Sequence, residues 1–439
     1  MNITVIGTGY VGLVQGVIMA DFGHNVTCVD IDIDKINSLK KGEIPIYEPS
    51  LKELLHKNIL RKNIKFTTDI KEAIDESDVI FIAVGTPPAM DGSADLKYVL
   101  NVASEIGENL KKYTVIVNKS TVPIGTGKLV KEKIRKKLNE RNTNLDFDII
   151  SNPEFLREGK AVEDCIKPDR VVIGYDSKKA LDIMKKLYKK LEEKNIPFIF
   201  TNLETSEMIK YASNAFLAVK ISYINEIALL AEKVGANTEE IARAMGIDNR
   251  ISPKFLNCGP GYGGSCFPKD TEALVKIGKN YHEEMSVVNA AIYANKKQKI
   301  KIVEKINNEM KDIKNKTIGI LGLSFKPNTD DVRDAPSLDI IKELIARGAK
   351  IKAYCPKGIK EAKWRLNNFN ENITYCKNEY EVSIDCDSIV LVTEWSQFKD
   401  LNLEKIKNKM KNNFYFDLRN LHSKNPLARK LFKYFPIGM

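Results

Sequence analysis

With 439 residues, 43% of them hydrophobic and 29% charged, the chain is long enough for two or three packed domains and too apolar for extended disorder. Its 69 basic residues exceed the 58 acidic ones by 11, but the lysines are scattered along amphipathic stretches such as Lys131–Lys137, and no basic run is interleaved with aromatics. That pattern argues against a nucleic-acid partner and for attraction of small anions.

Seven cysteines with no C-x-x-C pair fit reduced thiols rather than disulfides, and no metal-ligating cluster is expected. No leader-like segment precedes the first strand, and apolar runs such as Val79–Val84 fall far short of the roughly 20 residues of a membrane span. A cytoplasmic protein without a membrane partner is expected.

In chain order, β-rich apolar runs alternate with amphipathic helical stretches up to about residue 200: Ile3–Ile6, Val26–Val29, Val79–Val84, Val115–Val117, Phe147–Ile150 and Arg170–Ile173. Such alternation predicts a doubly wound parallel sheet. The first run leads into Gly7-Thr8-Gly9-Tyr10-Val11-Gly12, which opens a helical pattern, and Asp30 ends the second run. This is the arrangement of a dinucleotide turn: the glycines allow a tight turn and close approach of backbone to pyrophosphate, and Asp30 is placed to accept from ribose hydroxyls. A carboxylate there repels the extra phosphate of NADP, so NAD is the expected cofactor. Lys35 is read equally as a ribose contact or a solvated side chain. Val84-Gly85-Thr86-Pro87-Pro88 and Lys119-Ser120-Thr121-Val122-Pro123 each end an apolar run, where ligands of open α/β sheets bind.

Helical periodicity follows over Glu204–Val234 and again over Glu283–Asn308, and the stretch Gly246–Asp270 between them reads as a long functional loop. Within the first helix Lys210 and Asn214 are four apart and share a face. The loop contains Gly263-Gly264-Ser265-Cys266-Phe267-Pro268-Lys269-Asp270, which sets a cysteine among flexible glycines, a lysine and an aspartate. A thiol becomes a nucleophile as the thiolate, which a cation such as Lys269 or a helix start favours. Cys28, Cys355, Cys376 and Cys386 lie in or beside apolar strands and read as small buried hydrophobes, whereas Cys165 and Cys258 fall in loop-like sequence. A second alternating series covers Lys316–Gly322, Ile351–Tyr354, Ser388–Thr393 and Phe414–Asp417; its Gly319 and Gly322 lack a third glycine, which suits a mononucleotide better than a dinucleotide.

The dinucleotide turn, Gly85-Thr86-Pro87, Ser120-Thr121-Val122-Pro123, the segment Asn152–Gly159, Lys210–Asn214, the Cys266 segment and Ser324–Arg333 together resemble the UDP-glucose/GDP-mannose dehydrogenase family over essentially the whole length. The resemblance implies two Rossmann-like doubly wound domains joined by a helical central region: 1–200 binding NAD, 201–310 holding the catalytic loop and a dimer contact, and 311–439 binding the UDP-sugar. It implies a four-electron oxidation of a sugar primary alcohol to a carboxylate through a thioester on Cys266, without release of the aldehyde.

By the same resemblance, Lys210 and Asn214 hold charge on the substrate oxygen, while Thr121, Glu154 and Asp270 organise water and proton transfers. Gly7, Gly9, Tyr10, Val11, Gly12, Asp30, Lys35, Thr86, Thr121, Glu158, Lys269 and Arg333 would hold NAD. Glu154, Phe155, Leu156, Lys210, Asn214, Phe255, Gly261, Gly263 and Lys326 would hold the sugar nucleotide, and Arg250 would reach a neighbouring subunit's site in a homodimer or higher homo-oligomer. UDP-glucose is favoured because Phe155–Gly159 and Pro168-Asp169-Arg170 resemble that branch. GDP-mannose, a UDP-N-acetylhexosamine, a single-step hydroxyacid dehydrogenase and a nucleotide-sensing protein without turnover remain the alternatives.

Overall fold

In the computed structural model, which describes residues 1–89 and 91–439, the chain divides into two units, Met1–Ser213 and Asn214–Met439. The first unit is built on eight strands: β1 Asn2–Ile6, β2 Asn25–Val29, β3 Ile64–Thr67, β4 Val79–Ile82, β5 Thr114–Asn118, β6 Phe147–Ser151, β7 Val171–Tyr175 and β8 Phe198–Thr201. They lie in the order β3-β2-β1-β4-β5-β6-β7-β8. The central strands are Val- and Ile-rich because both of their faces are covered. Val5, Phe81 and Val117 pack on one face against Leu13, Val14 and Val17 of the helix Tyr10–Asp21, and Ile80, Ile82 and Ile116 on the other against Val99, Ile106 and Ile134. Each such side chain contributes about 1.5–3 kcal/mol on full burial.

The expectation of an all-parallel sheet needs one correction, since β7 runs antiparallel to β6. The link from β6 to β7, residues 152–170, carries the six-residue helix Ala161–Ile166. Its length does not force the reversal, since in the second unit the link between the parallel strands Phe414–Asp417 and Lys433–Pro436 also carries a six-residue helix, Pro426–Leu431. The helix Ala161–Ile166 also holds Cys165, which sequence placed in a loop. Strands β3 and β8 went unforeseen; each is four residues long, and β8 has no buried residue.

The second unit contains β9 Thr317–Leu321, β10 Lys350–Tyr354, β11 Ile373–Tyr375, β12 Ser388–Leu391, β13 Phe414–Asp417 and β14 Lys433–Pro436, all parallel, in the order β11-β10-β9-β12-β13-β14. Both sheets therefore share the 3-2-1-4-5-6 order of a dinucleotide fold, with switch points between β1 and β4 and between β9 and β12. The helices Leu203–Val234 and Ser286–Met310 match the two helical stretches read from sequence, and a further helix, Thr238–Ile247, was not foreseen. The expected loop Gly246–Asp270 is shorter than its sequence suggested: Gly246 closes that further helix, and Phe267 opens another that runs to Asn280.

Leu203–Val234 is long and apolar enough by composition to cross a bilayer, and 44% of its most apolar window is buried within the protein. Ser206, Glu207, Lys210, Asn214, Ser222 and Asn225 are buried along it, polar groups that suit the core helix of a folded protein and burden a lipid-facing one.

Candidate functional site

The carboxyl ends of β1, β2, β4, β5 and β6 bring together the residues read as cofactor-binding in the first unit. Gly7 has φ +99, and a Cβ there would stand 2.6 Å from the Ala83 carbonyl oxygen, so only glycine fits. Gly9 has open space around its Cβ position, and no side chain caps the helix that begins at Tyr10. Uncapped N–H groups beside an open glycine suit a pyrophosphate.

Asp30 receives the Thr8 N–H at 2.8 Å and the Thr8 hydroxyl at 2.7 Å on one oxygen, and the Asp32 N–H at 3.1 Å on the other. Burial opposes its ionisation, but the Thr8 hydroxyl, the two N–H groups and the Lys35 charge outweigh it and hold the carboxyl below its usual range. An anionic Asp30 fits the ribose diol of NAD and disfavours a 2′-phosphate. Lys35, undecided from sequence, pairs with Asp30 at 3.2 Å. Tyr10 hydrogen-bonds Glu48, and both accept the Gly159 N–H at 2.7 Å. Glu48 also receives the Ala161 N–H, so it anchors the turn that carries Glu158. Val11 and Gly12 complete the first helical turn.

Thr86 and Thr121 meet directly, the Thr86 hydroxyl donating to the Thr121 carbonyl at 2.8 Å. At the end of β6, Glu154 is 6% exposed and Lys210 3%. The Lys210 ammonium donates to Glu154 Oε1 at 2.9 Å and to its carbonyl at 2.6 Å, and the Leu156 N–H donates to Oε2 at 2.6 Å. Burial by itself would raise the Glu154 pKa; the Lys210 charge and hydrogen bond, the Leu156 N–H and the Lys119 charge together hold it below the usual carboxylate range. Lys119, on the end of β5, donates to Asn152 Oδ1 at 3.0 Å, and burial brings its ammonium down to about 8. The Phe155 ring carries the Arg170 guanidinium 3.7 Å from its centroid. Burial pushes the Cys165 thiol up to about 12, which removes it as a nucleophile.

In the second unit Cys266 is half-buried and stands immediately before the helix Phe267–Asn280, whose Pro268 lies in the first turn. The Asp270 N–H donates to the Cys266 carbonyl at 2.8 Å. A helix start favours thiolate over thiol. Asp270 is fully buried; Asn214 Nδ2 donates to one of its oxygens at 2.6 Å and the Lys269 ammonium to the other at 2.7 Å. Lys269, read as the neighbour of the thiol, thus spends its charge on Asp270.

The segment leading to Cys266 is held by three buried amides that sequence reading missed. Asn225 accepts the Gly259 N–H at 2.8 Å, Gln298 donates to the Gly259 carbonyl at 2.9 Å, and Asn295 bonds both the N–H and the carbonyl of Tyr262. Further on, the Gly264 N–H donates to the Arg333 carbonyl at 2.8 Å, where φ is +86 and a Cβ would press on the Phe325 ring.

Gly261 and Gly263 lie in the same braced segment. Phe255 sits 6.1 Å from Phe267, centroid to centroid. The Arg250 side chain is exposed and forks onto Asp248. Lys326 lies 5.1 Å above Phe325, on the loop after β9, and Arg333 forks onto Asp331. Cys28, Cys355, Cys376 and Cys386 are buried, as read.

Comparison with known proteins places all three parts of the chain. Residues 1–192 match the NAD binding domain of the UDP-glucose/GDP-mannose dehydrogenase family, residues 204–297 its central domain, and residues 319–424 its UDP binding domain. The chain is 47% identical over 442 residues to a UDP-glucose 6-dehydrogenase of Rhizobium meliloti (strain 1021), covering 100% of this chain and 99% of that protein. It is 49% identical over 437 residues to UDP-glucose 6-dehydrogenase TuaD of Bacillus subtilis (strain 168), covering 100% and 93%. Among solved structures, a UDP-glucose dehydrogenase from the hyperthermophilic archaeon Pyrobaculum islandicum superposes with a TM-score of 0.91 at 35% identity, over 99% of this chain and 96% of the other.

Proposed function

This chain belongs to the UDP-glucose/GDP-mannose dehydrogenase family, and from that premise we propose that it oxidises the C6 alcohol of UDP-glucose to the carboxylate, with loss of two hydrides. When bound, NAD supplies the hydride acceptor for each oxidation. The observation that carries the reading is the nucleophile's setting: Cys266 opens a helix whose first-turn Asp270 is buried and held by Asn214 and Lys269.

In the first oxidation the C6 hydroxyl gives up its proton, through water organised by Glu154, Thr121 and Asp270, as C6 loses a hydride. The Cys266 thiolate then adds to the aldehyde carbon, and the new C–S bond retains the intermediate. Lys210 and Asn214 hold the oxyanion; removing one such preorganised donor costs about 100-fold to 1,000-fold in rate. Loss of the second hydride from C6 turns the thiohemiacetal into a thioester. Water adds to its carbonyl and the C–S bond breaks, returning the thiolate and releasing the carboxylate. One water is consumed, and two hydrides and three protons leave.

Gly7, Gly9, Tyr10, Val11, Gly12, Asp30, Lys35, Thr86, Thr121, Glu158, Lys269 and Arg333 are proposed to hold the cofactor. Phe155, Leu156, Phe255, Gly261, Gly263 and Lys326 are proposed for the sugar nucleotide. The functional modules follow as 1–200 for NAD, 201–310 for the catalytic loop and subunit contact, and 311–439 for the UDP moiety, and the enzyme acts in the cytoplasm. A homodimer is supported by Phe216, Tyr223 and Leu230, which recur every seven residues on one face of the long helix and are 64%, 48% and 57% exposed. In it Arg250 would serve the neighbouring subunit.

The test is the NADH formed per UDP-glucose consumed at excess NAD, for the wild type and Cys266→Ala. Two NADH per sugar with a uronate product, lost in the variant, is the expected result; a wild-type yield of one NADH refutes the covalent two-step route.

A further inference from the structure

Glu207 takes no part in the dinucleotide turn or in the oxidation as described, yet it is 2% exposed. It lies on the long helix one turn before Lys210. Its two oxygens accept the Gly125 N–H at 2.6 Å and the Gly127 N–H at 2.8 Å, at the start of the helix Thr126–Glu140. That helix has no cap of its own, because the capping position is Gly125 with φ +91. A serine or aspartate in an ordinary cap conformation would satisfy such a group locally, without burying a distant carboxylate. What a local cap cannot do is fasten the turn to another element.

The fastened turn begins at Thr121 and is itself stapled, through Thr86 to the Thr121 carbonyl and through the Thr126 hydroxyl to the Pro123 carbonyl at 2.6 Å. The approach is close at Gly127, where a Cβ would stand 3.1 Å from the Leu203 side-chain end and 3.4 Å from the Glu207 carboxylate.

We propose that Glu207 is a positioning residue for the oxidation: its carboxylate ties the Thr121–Gly127 turn to the long helix and so sets Lys210 in register with Thr121. The proposal rests on the roles of Lys210 and Thr121 argued above. Burial pushes the Glu207 carboxyl up to about 7 despite the two N–H groups that favour the anion. The charged groups facing it are Glu204 on its own helix, which raises it further, and Lys128 on the opposite helix, which lowers it; these two pair with each other at 2.7 Å. Protonation leaves one oxygen bearing an O–H against an N–H, so the tie loosens as pH falls through neutrality.

The experiment is kcat against pH, from about 6 to about 9, for the full-length wild type, Glu207→Gln and Lys210→Met, with thermal melting alongside. The expected wild-type profile falls about tenfold toward acid with an inflection near 7, less than the roughly 100-fold that a 1 Å misplacement costs. Glu207→Gln is expected to lose the inflection and to run near the acid level throughout. An inflection that survives in Glu207→Gln, or full activity in that variant, overturns the proposal, including the case where only its melting temperature drops. If Glu207→Gln does not fold, Glu207→Asp decides: reduced kcat with the inflection retained supports the tie, and wild-type kcat refutes it. Full activity of Lys210→Met would instead sink the functional reading on which the tie depends.

Discussion

Replacing Lys210 by methionine removes a buried charge while leaving its partner in place. Glu154 would then keep the Leu156 N–H and the more remote Lys119 charge, and its carbonyl would lose a donor. Breaking a buried pair from one side costs about 3–5 kcal/mol; the surviving partners argue for the lower end. For a unit of this size about 3 kcal/mol corresponds to a melting temperature lower by roughly 6–12 °C. The pH dependence has a defined sign. In the wild type the depressed Glu154 pKa contributes stability above the ordinary carboxylate value and loses it as pH falls through the depressed one. Without Lys210, burial is the largest remaining influence, so the variant's Glu154 takes up a proton at higher pH and the gap to wild type narrows on acidification. The assay is melting of wild type, Lys210→Met, Glu154→Gln and the double variant, with NADH production in parallel. The double variant should regain most of the lost stability without regaining activity. Additive losses, or a Lys210→Met melting point within about 1 °C of wild type, would show that the pair is not energetically coupled.

Three further outcomes follow from the same geometry. Asp30→Asn removes an anionic acceptor, so the KM for NAD should rise roughly tenfold, as loss of about 1.5 kcal/mol at a charged hydrogen bond implies, with the KM for the sugar nucleotide unchanged; steady-state kinetics with each substrate varied decides. Because the Asp30 pKa is lowered, the wild-type KM for NAD should stay flat from neutral pH down to mildly acidic pH. Asn295→Ala strips the side-chain partners from the Tyr262 N–H and carbonyl, and should cost about 1–3 kcal/mol in denaturant melts while lowering kcat/KM for the sugar nucleotide and sparing the KM for NAD.

The parts of this fold that were legible in sequence are those whose chemistry is local. A glycine turn after a strand, an acid at the next strand's end and a cysteine among glycines each mark a candidate site within a few residues, and the strand runs declare themselves because burial on both faces demands continuous Val and Ile. Strand direction is different: the reversal at β7 is written neither in its apolar run nor in its link, since a link of similar make-up, holding one six-residue helix, joins the parallel strands β13 and β14.

The polar residues that brace the site were illegible for a physical reason. Asn225, Asn295 and Gln298 sit in helical stretches where a solvated amide and a buried one are spelled identically, and their partners lie 33 to 39 positions away. Glu48 and Glu207 are harder still, because a glutamate reads as surface until its N–H donors are found 80 or more positions distant. One hint was present. Gly125-Thr126-Gly127 opens a fifteen-residue helix with glycine at the capping position, which leaves donors that must be satisfied from elsewhere in the fold. A helix start that lacks its own cap, beside a glycine that admits close approach, therefore marks where to look for a distant acid, and here that search ends one turn from Lys210.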